Sequence, residues 1–297
     1  MADARPAPAL RPDPPRPSSI VDLVRAGTLD AELAATLWLL FEGRVPCIVA
    51  GPQPEAGASV VLGALLDFLP SGTRTVELAG AGETFDWLPQ ASELGWARGP
   101  ASSPGHRFQE PVRADTTVLL VPEFSDRLTS CTWGEEARIA VRAASIGYGL
   151  AATIRGDALS EVLDALRRPP VALTDDELSR IGVVLIVRPV EGSEASRVVA
   201  AHYVRPVARD EHGHVQRLAP AVLATWDAAQ DRFEHFGWGI TPELARRVGR
   251  RAGDFEQEVD RRREFLGSLA SSGVTDRDAL RAAIEGFGRS ADAVATN

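Results

Sequence analysis

The chain contains no lysine: all 32 of its basic residues are arginine. That absence excludes Schiff-base chemistry, a lysine general base and a phosphate-holding lysine. Cysteine is nearly absent as well. Cys47 and Cys131 each sit beside an apolar run, as small buried residues do. Two isolated cysteines make neither a zinc site nor a disulfide framework. No stretch reaches the roughly 18 consecutive apolar residues of a membrane helix. The opening segment lacks the apolar centre of a signal peptide, so the expected location is the cytoplasm. An excess of positive charge is also missing: 41 acids against 32 arginines leave −9. That is the wrong sign for a chain that works on bare nucleic acid.

What is present is a regular alternation of helix and strand patterns. Residues 1–18, rich in Pro, Ala and Arg, read as a disordered or extended tail. Residues 19–43 carry two helical patterns. Ile20, Leu23 and Val24 share a face of a short helix ended by Gly27. Leu33, Leu37, Leu40 and Phe41 mark a second helix from Asp30 to Glu42. Residues 44–240 form the main body. Here "VPCIVAG", "TRTVELAG", "TTVLLVPE", "GLAATI" and "GVVLIVRP" read as strands separated by helices, except that residues 79–115 are irregular. Asp157 is the expected N-cap of the helix that follows the fourth strand. This order predicts βαβ units on a mostly parallel sheet. A run of antiparallel strands follows, with turns at 210–213 and 227–231, and residues 241–290 are helical. The expected fold is α/β, a mostly parallel sheet flanked by helices, with antiparallel strands and a C-terminal helical segment added.

The most informative stretch is "VPCIVAGPQPEAGASVVLGALL", residues 45–66: a buried strand, a glycine-bearing loop and an apolar helix. This is the context of a phosphate-binding loop, in which backbone N–H groups at a helix N-terminus hold phosphate and a Ser or Thr ligates Mg²⁺. The pattern G-x-x-x-x-G-K-[ST] is not met by the motif alone. Both glycines, Gly51 and Gly57, and Ser59 are present, but the loop is one residue too long and Ala58 stands where the lysine belongs.

From about Ser18 to Phe287 the chain resembles the ATPase core of the type II/IV secretion family, the motors of pili, archaella and secretion systems. "TRTVELAGAGETFDW" resembles that family's acidic segment, with Glu77 in the acidic position. "TTVLLVPE" is similar to its Walker B strand, with Glu123 in the place of the catalytic glutamate. "WGEEARIAVRAASIGYGLAATIRGD" is similar to the stretch holding its His box, with Gly147, Thr153 and Asp157 in step, and the closing helices are similar too. The resemblance implies a RecA-like nucleotide-binding core, ATP with Mg²⁺ held through Ser59, and a self-assembled ring, usually a hexamer. It also implies a related motor subunit or a membrane platform as partner, with the inner membrane approached only through such partners. By that resemblance, the motors' large N-terminal domain is expected to be absent, with the tail and two helices before the core.

The departures fall on the chemistry. Ala58 removes the loop charge, Pro52 and Pro54 each remove a backbone donor, and Glu55 brings a carboxylate close to where phosphates would lie. Tyr148 and Arg155 replace histidines, and Glu123 follows Pro122 rather than Gly. Arg155 lies at a strand end from which a guanidinium could reach a γ-phosphate. Two functions follow: an assembly or regulatory subunit with a degenerate nucleotide site, or a slow ATPase using Ser59, Glu123 and Arg155. A free-standing regulatory domain is a third.

Other candidates are weaker. Asp210, Glu211, His212 and His214 crowd a hairpin turn and read as a solvated turn rather than a metal site. His202 and His235 fall in strand patterns. Trp87, Trp96 and Trp133 fall in irregular segments, as core residues or partner anchors. Arg246, Arg247, Arg250, Arg251 and Arg261–Arg263 alternate with acids and read as a solvated helical face.

Overall fold

The computed structural model describes residues 19–52, 57–97, 112–192, 195–209, 211–212 and 215–295. The readings placed on the tail, on Pro54 and Glu55, and on Asp210 and His214 lie outside the described residues. The helices are α1 (Ile20–Arg25), α2 (Ala31–Glu42), α3 (Ala58–Leu65), α4 (Gly134–Ala143), α5 (Leu159–Arg167), α6 (Asp175–Leu178), α7 (Thr241–Arg247), α8 (Ala252–Ser271) and α9 (Arg277–Ala295). The strands are β1 (Cys47–Gly51), β2 (Arg74–Glu77), β3 (Thr117–Phe124), β4 (Gly149–Arg155), β5 (Val183–Pro189), β6 (Ser196–Tyr203), β7 (Ala208–Arg209), β8 (Val215–Gln216), β9 (Ala221–Asp227) and β10 (Arg232–His235).

Eight strands form one sheet in the order β10-β9-β6-β5-β1-β4-β3-β2. Strands β5, β1, β4, β3 and β2 pair in parallel, and β6, β9 and β10 continue the sheet antiparallel. The central strand β1 is buried on both faces, because side chains alternate along a strand. Cys47 and Val49 enter one core; Ile48 and Ala50 enter the other. The first core is roofed by α1, α2, α3 and α8, and the second by α4, α5 and the segment between β2 and β3. The helices before and after the α/β body therefore share one layer.

Local chemistry explains several element ends. Ser19 and Asp22 form a capping box on α1, and Thr174 and Glu177 form one on α6. Asp30 caps α2, accepting from the Leu33 N–H at 2.9 Å. The N-cap of α5 is Ala158 rather than Asp157. The Asp157 carboxylate faces Arg188, 3.6 Å away, and its N–H donates to Glu161 at 2.8 Å. Trp87 and Trp96 are core residues, gathered with Phe85 and Tyr148 in tilted and edge-to-face contacts. The buried Glu83 organises them. It accepts from the N–H groups of Ala79 at 3.0 Å and Phe85 at 2.8 Å, and from the Trp87 indole at 3.2 Å.

Asp30 has a second partner. Its other oxygen lies 2.8 Å from His235 Nε2, while Glu32 lies 3.6 Å from Nδ1. Burial alone would lower this imidazole's pKa. The hydrogen bond to Asp30 and the charges of Asp30 and Glu32 outweigh burial and the opposing Arg263, and raise it above 6.5. A raised folded-state pKa gives stability that is full below the unfolded value and lost as pH rises through the folded one. Wild-type stability should therefore fall more between about pH 6 and pH 8 than that of His235→Asn. Urea midpoints at the two pH values check this; equal falls would refute it.

Candidate functional site

In an open parallel sheet, ligands bind outside the carboxyl ends of the strands, where the chain leaves neighbouring strands toward opposite faces. Here that point lies between β1 and β4: β1 feeds α3 on one face and β4 feeds α5 on the other. A cleft of about 190 Å³ opens there. Gly51 at the end of β1 and Ala58 and Ser59 in the first turn of α3 form one wall. Pro122 and Glu123 of β3, with Thr153 and Arg155 of β4, form the other.

Each wall is built by a local device. Gly57 caps α3 with φ +87°, a left-handed conformation, and a Cβ there would lie 2.9 Å from Ser196 Oγ. Glycine is the residue that satisfies both constraints. It leaves the first N–H groups of α3 facing the cleft without a side-chain cap. On the opposite wall β3 carries a bulge. Val121 pairs with Ala152 and Phe124 with Ile154, so Pro122 and Glu123 oppose Thr153 alone. A bulge turns a side chain out of the pleat, and this one turns Glu123 to the cleft. Thr153 donates its hydroxyl hydrogen to the Pro122 carbonyl and pins the bulge. The Cys131 thiol lies 3.9 Å from a Glu123 carboxylate oxygen, and the Thr132 N–H donates to the Glu123 carbonyl at 3.0 Å.

Six of the seven candidate positions meet at this cleft: Gly51, Ala58, Ser59, Glu123 and Arg155 line it, and Gly57 shapes it. Glu77 does not line it. It is exposed at the end of the edge strand β2. Tyr148 is buried and donates to the Val112 carbonyl at 2.8 Å. The bulge and its Thr153 pin were missed in the sequence reading, although a proline inside a strand pattern is their signal.

The residues fit an ATP·Mg²⁺ group poorly. Ser59 and Glu123 offer the oxygen donors that Mg²⁺ prefers. The charge for the phosphates is lacking: among the described lining residues Arg155 is the one cation, opposed by Glu123. The volume is also below the ~300–1,000 Å³ of small-molecule sites. Among the described residues no three His, Cys, Asp or Glu side chains gather as a metal-ion ligand set. No helix among them is long and apolar enough to cross a membrane.

Comparison with known proteins gives two distant relatives, both from Methanocaldococcus jannaschii. Uncharacterized protein MJ0900 is 22% identical over 282 residues, covering 91% of this chain. The chain spans about half of that relative, 49% of its length. Uncharacterized protein MJ1287 is 23% identical over 265 residues, covering 84% of this chain and 91% of the relative. No family model matches the chain.

Proposed function

We propose that the chain is a subunit of the secretion and pilus ATPase type with a degenerate nucleotide site, RecA-like in its core. Its role is assembly or regulation, in a ring with itself or beside a related motor subunit at a membrane platform. One observation carries this reading. The cleft at the β1/β4 switch point collects the phosphate-loop positions Gly51, Gly57 and Ser59 and the Walker B position Glu123, yet Ala58 supplies no charge. Phosphoryl transfer rests on positioning and on stabilising charged oxygens. Losing a charged donor there costs a few kcal/mol, about 10²-fold or more in rate.

The test is calorimetric titration of the purified chain with ATP, with and without Mg²⁺. The expected result is no binding tighter than about 1 mM. Low-micromolar binding with Mg²⁺-dependent turnover above about 0.1 s⁻¹ would overturn it.

The presence of Arg155 and Glu123 on one wall favours a second reading, a slow ATPase in which Arg155 replaces the lysine's charge. That reading expects Glu123→Gln to abolish phosphate release while sparing ATP binding. A wild-type chain that releases no phosphate above buffer ends it.

A further inference from the structure

The eight-stranded sheet ends on β10, and among the described residues no strand pairs with its outer side. An open edge carries unpaired backbone N–H and C=O groups and is a template for another strand. The groups that face outward can be named. The Phe236 N–H donates to the Leu223 carbonyl at 2.8 Å, inward toward β9. Backbone groups alternate in direction along an antiparallel strand. Arg232 and Glu234 therefore also bond inward, and Phe233 and His235 present their backbone groups to the open side. Side chains alternate as well. Phe233 packs against the core, while Arg232 and Glu234 share the opposite face, both exposed and 3.4 Å apart. Two exposed rings, Phe236 and Trp238, follow the strand directly.

The order of charges makes this edge complementary to itself. Consider an antiparallel pair of two β10 strands related by a two-fold axis at Phe233. Residue 232 of each copy then lies opposite residue 234 of the other. Arg232 faces Glu234 twice, and the two Phe233 residues exchange their outward N–H and C=O groups. A slip of two residues is the smallest that keeps the outward groups matched. One such slip sets Arg232 against Arg232, and the other sets Glu234 against Glu234; like charges directly opposite destabilise a strand pair. Charges that only guard an edge repel a copy in every register. These repel in the neighbouring registers and attract in one. The other edge strand, β2, lacks this property: Arg74 and Glu77 stand three residues apart, on opposite faces, and cannot meet across a two-fold pair. The axis at Phe233 also brings Phe236 and Trp238 of each copy toward the β9–β10 turn of the other, adding apolar cover to a short strand pair.

We propose that a second copy of this chain docks on β10 about this two-fold axis, joining the two eight-stranded sheets into one. The contact is isologous and closed, unlike the heterologous contact that builds a ring. It is independent of the nucleotide reading, and its failure leaves the ATP titration unaffected. The test is sedimentation equilibrium of the full chain. The wild type should dimerise with a Kd below about 1 mM. Arg232→Glu and Glu234→Arg each turn two attractive pairs into two repulsive ones, and each should weaken dimerisation about tenfold or more. Arg232→Glu/Glu234→Arg restores opposite charges and should dimerise as the wild type does. The two single variants, mixed in equal amounts, should pair with each other about tenfold more tightly than either pairs with itself. Both side chains are exposed, so urea midpoints should match the wild type; a loss that the double variant and the mixture recover does not come from misfolding. A monomeric wild type, single variants that associate as the wild type does, or a loss that neither the double variant nor the mixture recovers would each overturn the proposal.

Discussion

Replacing Arg262 with methionine should cost about 3–5 kcal/mol of unfolding free energy, the range for stripping one partner from a buried ion pair. Arg262 is 1% exposed and packs against the apolar core. One terminal nitrogen reaches both oxygens of Glu42 on α2, at 3.0 and 2.9 Å. The other bonds Glu258 one turn back on α8. The guanidinium carbon lies 5.0 Å from the centre of the Trp38 ring. Methionine keeps much of the apolar stem and strips Glu42 and Glu258 of their buried cation, leaving them the more exposed Arg250, 3.9 Å from Glu42, and Arg261 beside Glu258. Urea denaturation measures the loss as a lower midpoint at unchanged slope. Because the penalty comes from stranded charge, Arg262→Met/Glu42→Leu/Glu258→Leu should recover most of it.

The same triad governs acid stability. Burial alone would raise the Glu258 carboxyl, but the hydrogen bonds and charges of Arg262 and Arg261 hold it below 4.5. A depressed folded-state pKa gives stability that is full above the unfolded value and lost as pH falls through the folded one. Below about pH 4.5 the gap between wild type and Arg262→Met should therefore narrow. A constant gap down the acid limb would show that Glu258 is not part of the cost.

Gly80→Ala should cost about 2–4 kcal/mol, from left-handed strain and overpacking together. Gly80 has φ +65°, and a Cβ there would lie 2.4 Å from the Thr129 carbonyl oxygen and 2.5 Å from the Ser130 carbonyl carbon. Both are backbone atoms, so no rotamer change relieves the clash. The segment after β2 is docked on the loop after β3, with the Ala81 N–H donating to the Thr129 carbonyl at 2.9 Å. That loop continues into Cys131 and Thr132, which contact Glu123. The substitution should thus loosen the Glu123 wall as well as the fold. A urea midpoint within error of wild type would show that the loop shifts freely.

Strands β1, β3, β4 and β5 were legible because each carries a short apolar run between turn residues, and β1 needed no pairing information to be read as buried on both faces. The start of α2 near Asp30 was legible because the helical pattern is local. Asp157 was misplaced by one residue because its carboxylate faces an arginine on another strand, β5. The α8 arginines were read as solvated from their alternation with acids. The corrective signal was present: Phe255, Val259, Arg262 and Leu266 fall at helical spacing, so Arg262 lies on the apolar stripe. At the cleft, glycine and serine spacing identified one wall. The bulge that aims Glu123 depends on β4, whose register the sequence of β3 does not contain. That β10 ends the sheet was not legible at all, since strand order depends on pairing between segments far apart in the chain.

The shared helical layer also sets a clock for synthesis. The apolar face of α2 is complete once residue 42 has left the ribosome, but Phe255, Leu266 and Arg262, which close over it, are about two hundred residues away. At about 5–20 residues per second that interval is roughly 10–40 s. Through it Trp38 and Leu37 lack part of their cover and Glu42 lacks its buried cation, Arg262. Until α8 emerges, the nascent chain is a client for whatever shields exposed apolar helices.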